Sequence, residues 1–311
     1  MFNQLDIPQS GETIATITTN LGVMSGQRRL AMKDTKQYNI SVFEDTMRRI
    51  KETPLLSYKV EDSLRLQMYI NYPVNEMPAM FEDEPDCPVM VSRERTIDCA
   101  LCWLRANPTF NVTVLNFASA TRPGGGVTSG SSAQEECICR CTTLYPCLNS
   151  PEANEKFYEP HRQNLGPLHN DDIIITPNVA IIKNDDYELL DMTSPHDIEV
   201  ITCAAPNLRE KNVTAFNTER EPAPDISPEE LKALHVSRAR NILRAAVATG
   251  TDVIILGAFG CGAFRNDPEV VAAAYKEVIP EFRKHFRAIQ FAVYCKDSDT
   301  KNYVAFKNAL E

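Results

Sequence analysis

Two short apolar runs, Val112–Phe117 (VTVLNF) and Asp252–Leu256 (DVIIL), each lead into a glycine-rich loop, and a helical pattern follows each loop. This order constrains the fold more than any other feature. β-rich runs of this length, bounded by turn signals, read as buried strands, and their alternation with helices builds a layered α/β sheet. The alternation continues through Asp172–Thr176 and Val179–Lys183, two runs that Pro177-Asn178 separates as a turn. Val200–Ala204 ends at Ala205-Pro206-Asn207, another strand-ending turn. Pro228–Thr249 carries apolar residues on one face, with Gly250 placed at C′. Asp267 as N-cap and Pro268 at the first helical position open a helix to about His285. Ala288–Tyr294 is a last strand and Lys301–Leu310 a closing helix.

Ahead of this region, residues 1–110 read as a mainly helical extension without evident chemistry, and 111–311 as the domain that carries the loops. Ser41–Lys51 has a candidate N-cap and helical spacing, and Tyr72–Pro88, with four prolines among many acids, reads as an irregular connector. Ser92–Asn107 shows Ile97, Ala100, Leu101 and Leu104 at helical spacing. The chain has 311 residues, 43% of them hydrophobic, enough for one sizeable core with an appendage. No basic stretch followed by an apolar one opens the sequence, and no apolar run approaches the roughly 18 residues of a membrane span. The net charge of −10 argues against duplex nucleic acid, which demands a basic stripe. Ten cysteines without a secretory signal read as reduced thiols of a cytoplasmic protein. Cys137, Cys139 and Cys141 diverge around a helix axis, which suits small buried residues better than a zinc knuckle.

The first loop is Thr121-Arg122-Pro123-Gly124-Gly125-Gly126-Val127-Thr128-Ser129-Gly130. Three successive glycines free the backbone for positive φ and close approach, so that consecutive N–H groups converge on an anion; a flexible surface turn is the plain alternative. The second loop, Gly257-Ala258-Phe259-Gly260-Cys261-Gly262-Ala263-Phe264, has neither the order of a dinucleotide fingerprint nor the Gly-Lys-Ser/Thr of a Walker loop. Two phosphate-sized loops at the ends of two strands suggest one diphosphate gripped from both sides. Phe264, and less clearly Phe259, offer rings to a sugar or base, unless both are core aromatics.

Gln134-Glu135-Glu136 then opens a helix. Acids in a first turn complement the helix dipole, a sufficient account of one glutamate. The functional account needs a carboxyl kept protonated to donate to a leaving oxygen. Bound phosphates and the partner carboxylate raise its pKa, the helix N-terminus lowers it, and the phosphates are expected to prevail.

Gly-Gly-Gly, seven residues, then Gln-Glu-Glu resembles the signature of poly(ADP-ribose) glycohydrolases, which are built on a macrodomain. The surrounding words LNFASA (Leu115–Ala120), AQEE (Ala133–Glu136), TLYP (Thr143–Pro146), TPNV (Thr176–Val179), VITCAAPN (Val200–Asn207) and GAFGCGAFRNDP (Gly257–Pro268) resemble the compact microbial group. The resemblance implies a three-layer α/β/α fold with a mixed central sheet behind an N-terminal helical extension. It implies Glu136 as the catalytic acid, Glu135 as its neighbour on the scissile ribose, and Gln134 as the residue positioning the pair. Gly124, Gly125, Gly126 and Val127 match the first diphosphate loop. Gly260, Cys261, Gly262, Ala263 and Phe264 match the second, with Phe264 against the ribose. No metal or cofactor is called for. Animal members carry Asp-Phe-Ala-Asn before the first loop, where this chain has Asn116-Phe117-Ala118-Ser119, so the ribose contact of their final Asn falls on a shorter side chain. The implied reaction is hydrolysis of ribose–ribose bonds of poly(ADP-ribose) from chain ends, releasing ADP-ribose. Removal of single ADP-ribose units from protein or nucleic acid, and ADP-ribose reading without cleavage, are the alternatives.

Overall fold

The computed structural model describes residues 36–71, 85–163, 166–193, 196–210 and 223–311. The expectations for the first residues and for most of the Tyr72–Pro88 connector lie outside them. The main helices are α1 Lys36–Glu52, α2 Pro54–Leu66, α3 Thr96–Ala106, α4 Gln134–Cys141, α5 Leu144–Leu148, α6 Glu159–Gln163, α7 Pro228–Ala248, α8 Pro268–Val278 and α9 Lys301–Leu310. The strands are β1 Met68–Ile70, β2 Val89–Ser92, β3 Val112–Phe117, β4 Ile173–Ile181, β5 His196–Cys203, β6 Val253–Leu256 and β7 Ala288–Ala292.

These strands form one sheet in the order β1-β4-β5-β3-β6-β7-β2. β3 pairs in parallel with β5 and β6, and β7 in parallel with β6 and β2, while β4 runs antiparallel to β1 and β5. The sheet is mixed, and apolar side chains leave both faces of its central strands. Ile254 and Leu256 of β6 pack with α7, α8 and α9, whereas Val253 and Ile255 pack with α3, α4 and α5. Burial on both faces explains why β6 reads as a continuous apolar run rather than an alternating one.

From β3 the chain goes on to β4 and β5 on one side, and from β5 it crosses through α7 to β6 on the other. Ligands of open α/β sheets bind at such a switch, outside the carboxyl ends of the strands. Both glycine loops begin there.

The helix starts expected from the sequence hold at α7 and α8, but α8 ends at Val278, before a 3-10 turn over Ile279–Glu281, and not near His285. Asp267 Oδ1 accepts from Glu269 N–H at 2.8 Å, capping α8 ahead of Pro268. Ser227 and Glu230 form a capping box at the start of α7, and Gly250 takes φ +75° beyond its end.

Other readings change. Pro177-Asn178 does not divide this stretch into separate strands: both residues sit inside β4 as an irregularity between Thr176 and Val179, with Asn178 at φ +57°. A residue in that conformation interrupts the ladder without ending the strand. Ser41 is not an N-cap, because α1 already begins at Lys36; its hydroxyl donates to the Tyr38 carbonyl at 2.8 Å.

The expected division near residue 110 passes between α3 and β3, inside this one assembly. β1 and β2 precede it and form the two edges of the sheet. With three and four residues, they are too short to show a period in the sequence. No helix among the described residues is long and apolar enough to cross a membrane.

Candidate active site

The site grows from the end of β3. Gln134, the first residue of α4, fastens the helix to that strand: Phe117 N–H donates to its Oε1 at 2.9 Å, and its Nε2 donates to the Leu115 carbonyl at 2.7 Å. A third bond, to Thr96 Oγ1 at 3.2 Å, reaches α3. The Gln134 side chain thus continues the strand ladder and fixes where the next two side chains point.

Those side chains are Glu135 and Glu136, only 3% and 7% exposed. Ser119 N–H donates to Glu135 Oε2 at 2.8 Å, and Asn116 Nδ2 to Glu135 Oε1 at 3.5 Å. Gly126 N–H donates to Glu136 Oε1 at 2.8 Å, while Glu136 Oε2 is buried with no hydrogen-bond partner. A buried polar atom without a partner is costly and calls for an explanation. Burial, opposed by the Ser119 N–H and reinforced by the Glu136 charge, pushes the Glu135 carboxyl up to about 8. Desolvation is the largest cause, so burial favours the protonated form of Glu135.

The glycines make room for this pair. Gly124 and Gly125 take φ +64° and +58°, the left-handed region. A Cβ on Gly125 would lie 2.5 Å from Glu136 Oε1 and 2.9 Å from Glu135 Oε2; one on Gly124 would lie 2.7 Å from the Tyr145 ring. The N–H groups of this loop find partners within the protein. Gly125 N–H donates to Arg122 O at 2.9 Å, Val127 N–H to Gly124 O at 3.1 Å, and Gly126 N–H to Glu136. Of these three donors one meets a carboxylate and the other two close turns on backbone carbonyls. Val127 itself is fully buried and anchors the loop in the core. Ser119 Oγ accepts from Arg122 N–H at 3.2 Å, so it serves the loop turn.

The second loop leaves β6, next to β3, and the Phe117 and Phe259 rings meet between the two at 5.6 Å. Phe259 is buried, which settles it as a core aromatic; Phe264 is half-buried at the loop's end. Gly260 takes φ +77°, and a Cβ there would strike Ala205 Cβ and Asn266 Nδ2, each at 2.7 Å. Cys261 N–H and Arg265 N–H donate within the loop, to Ala258 O and Gly262 O, both at 3.1 Å. The N–H groups of Gly262, Ala263 and Phe264 have no acceptor among the described residues. Gly262 and Ala263 are exposed. This loop has the consecutive free donors that the first lacks.

Several supporting roles escaped the sequence reading. Buried Asn266 braces the second loop: its Nδ2 donates to Pro206 O at 2.7 Å and Gly260 O at 3.0 Å, and His235 Nε2 meets its Oδ1 at 2.9 Å. Burial pushes the His235 imidazole down to about 4, so it stays neutral. On the other side α1 supports the first loop and α4. Asn39 Nδ2 donates to Gly130 O at 3.0 Å, Thr46 Oγ1 to Arg140 O at 2.5 Å, and Phe43 packs edge-on against Tyr145 at 4.8 Å. Fully buried Arg140 donates to Ser131 O at 2.6 Å and ties α4 to the loop's far end. Cys137, Cys139 and Cys141 do lie in α4, and burial raises all three thiols above their ordinary value.

A three-layer α/β/α sandwich with two glycine loops and a buried carboxylate pair at its switch point defines a macrodomain-like hydrolase. The model of the catalytic domain of microbial-type PARG, poly(ADP-ribose) glycohydrolase, matches residues 12–184. Among solved structures, the chain resembles poly(ADP-ribose) glycohydrolase from Thermomonospora curvata, with a TM-score of 0.74 and 27% identity over 88% of this chain and 99% of that one. It also resembles the Deinococcus radiodurans enzyme in complex with ADP-ribose, with a TM-score of 0.64 and 30% identity over 81% and 96%. A third match is the Thermomonospora curvata enzyme bound to the inhibitor ADP-HPD, with a TM-score of 0.71 and 28% identity over 88% and 99%. No curated protein sequence matches the chain. The chain belongs to the microbial-type poly(ADP-ribose) glycohydrolase family.

Proposed function

We propose that the cleft between the two glycine loops takes the terminal ADP-ribose unit of poly(ADP-ribose), and that Glu136 drives hydrolysis of the ribose–ribose bond, the reaction of the family. The asymmetry of the pair carries this reading. Glu135 has both oxygens engaged, whereas Glu136 is fixed through Oε1 and keeps a buried Oε2 without a partner. A carboxyl held at one oxygen and free at the other can give a proton to a leaving oxygen and later take one from water.

In that sequence the proton passes from Glu136 Oε2 to the bridging ribose oxygen as the glycosidic bond breaks through an oxocarbenium-like state. Water attacks the anomeric carbon, and Glu136 takes up its proton, regenerating the acid. Glu135 holds the scissile ribose and Gln134 keeps the pair on β3. The Gly262–Phe264 donors meet the diphosphate, with Phe264 against the ribose. Gly124–Gly126 let the ligand approach the pair from the other side, over Val127. Cleavage from chain ends fits a chain without the long insertions of animal enzymes. Ten free cysteines suit a cytoplasmic setting.

The test is turnover of poly(ADP-ribose) and of mono-ADP-ribosylated protein by wild type and Glu136→Gln. The expected result is polymer cleavage by wild type and a roughly 10²–10⁴-fold fall in kcat for the variant, the range for a lost general acid. ADP-ribose binding should be retained. Unimpaired turnover by Glu136→Gln refutes the assignment, turnover of the mono-modified protein alone reassigns the bond, and binding without any turnover makes the protein a reader.

A further inference from the structure

Beyond β5 the chain runs on as a strap, residues 204–210, bound to the second glycine loop. Leu208 N–H donates to Phe264 O at 3.0 Å, and Asn266 Nδ2 to Pro206 O at 2.7 Å. Asn207 N–H donates to Pro167 O at 2.8 Å, joining the strap to the segment between α6 and β4. From α6, Arg162 Nη1 reaches Thr121 O of the first loop at 3.1 Å, so the neighbouring segment also meets the first loop.

The strap sets the Arg209 guanidinium over the Phe264 ring, 5.2 Å from its centroid. Arg265 follows Phe264 directly, at φ +60°. Both arginines are exposed, and neither has a carboxylate partner among the described residues. The one side-chain bond of Arg209 goes to the Asn207 amide oxygen, at 3.0 Å. Burial of part of the group, then the Arg265 charge, holds the Arg209 guanidinium below its ordinary value, as expected of a cation set beside a cation.

Several arginines elsewhere are paired with carboxylates. Arg240 grips Glu281 with two bonds of 2.6 and 2.8 Å, Arg287 pairs with Asp252 at 2.9 Å, and Arg238 with Asp171 at 2.9 Å. In a chain of net charge −10, counter-ions are plentiful, yet this pair has none among the described residues. Like charges held together disfavour the empty site and favour an arriving anion, and the planar guanidinium fork suits phosphate. In the proposed function the Gly262–Phe264 N–H groups serve the unit inside the cleft. Arg209 and Arg265 stand outside them, in solvent.

We infer that Arg209 and Arg265 form a phosphate-binding rim for the diphosphate of the ADP-ribose unit that lies outside the cleft, so that the enzyme recognises a chain and not only its end. This inference rests on the glycohydrolase reading. Local cations would also draw a polyanion toward a protein whose overall charge repels it.

The experiment compares kcat/KM on long poly(ADP-ribose) at several salt concentrations with the Kd for free ADP-ribose, in wild type and in Arg209→Gln/Arg265→Asn. Asn is chosen because it tolerates positive φ. The double variant should lose about tenfold or more in kcat/KM on polymer at low salt, and its log–log salt slope should flatten by roughly 1–2, as for two lost phosphate contacts. Its Kd for ADP-ribose should stay within about twofold. Arg209→Lys, which keeps the charge and gives up the flat stacked group, should retain most of the salt slope. That result separates a charge contact from support of Phe264. An equal loss of ADP-ribose affinity would place the arginines on the unit inside the cleft, and an unchanged kcat/KM and slope would make them ordinary surface cations; either result overturns the inference. Wild-type failure on polymer would instead sink the glycohydrolase reading.

Discussion

The two glycine loops look alike in sequence and do opposite things in the fold. In the first, Gly125 and Val127 N–H donate within the loop and Gly126 N–H donates to Glu136, so the loop is closed around the enzyme's own acids. In the second, the N–H groups of Gly262, Ala263 and Phe264 have no acceptor among the described residues. Glycine content alone does not make an anion site. What decides is whether the nearest side chains already supply the anion. The first loop shapes the carboxylate pair, and the second is available to a ligand. Substitutions at matched positions can break or sharpen that distinction.

The largest effect is expected at Gly125. At φ +58° a side chain is strained by about 1–2 kcal/mol, and its Cβ would stand 2.5 Å from Glu136 Oε1 and 2.9 Å from Glu135 Oε2. The carboxylates can yield only by leaving their positions, and a misplacement of about 1 Å costs on the order of 10²-fold in rate. Gly125→Ala should therefore lower kcat by about 10²-fold or more, with ADP-ribose affinity much less affected. A variant that loses affinity while keeping kcat would assign the first loop to ligand binding after all.

Gly260→Ala should act through the fold instead. Its φ is +77°, and the new Cβ would meet Ala205 Cβ and Asn266 Nδ2 at 2.7 Å. Strain and overpacking together predict roughly 2–4 kcal/mol of destabilisation, read as a lower denaturation midpoint. Asn266 would be pushed from its bonds to Pro206 and Gly260, so affinity should fall with stability. Unchanged stability would show that the brace is soft.

The pair also writes itself into pH dependence. With its folded value raised to about 8 from 4.5, Glu135 binds a proton more tightly in the folded state than in the unfolded. That contribution to stability is fully present below about 4.5 and is lost as pH rises through about 8, because the unfolded chain carries fewer protons across that window. The slope approaches about 1.4 kcal/mol per pH unit at most. Glu135→Gln keeps the size and an acceptor for Ser119 N–H and removes the titration, so its stability should vary less between about pH 5 and 8 than that of wild type. Parallel curves would mean the pair holds no proton in the folded protein.

Much of this was legible in the sequence, and the limits have physical causes. The α/β alternation, the caps of α7 and α8 and the helical place of the three α4 cysteines follow from local chemistry, which short segments encode. The loops and the Gln-Glu-Glu triplet were visible as types. Which donor met which acceptor was not, since Gly126 reaches Glu136 only because Gln134 pins α4 to β3. The edges of the sheet were missed because β1 and β2 are too short to show a period. The bracing by Asn266 and the contacts that α1 makes with the loop were missed because support from a distance has no local pattern. β4 was read as two strands because Pro-Asn usually marks a turn, whereas here the pairing with β5 resumes beyond the irregularity.

The smallest stability effect belongs to Gly262, and it is the most telling for the comparison. No atom lies within 4 Å of a Cβ built there, and the residue is exposed. Gly262→Ala should therefore change stability by no more than about 0.5 kcal/mol, as for other surface substitutions. A methyl group placed beside the free N–H groups would nevertheless keep a diphosphate from the backbone. ADP-ribose affinity should then fall several-fold with kcat nearly unchanged, the mirror image of Gly125→Ala. Titration of ADP-ribose into both variants, alongside single-turnover rates, measures the two effects on one scale. If Gly262→Ala binds as wild type does, the open donors of the second loop do not touch the ligand, and the division of labour between the loops fails where it is easiest to see.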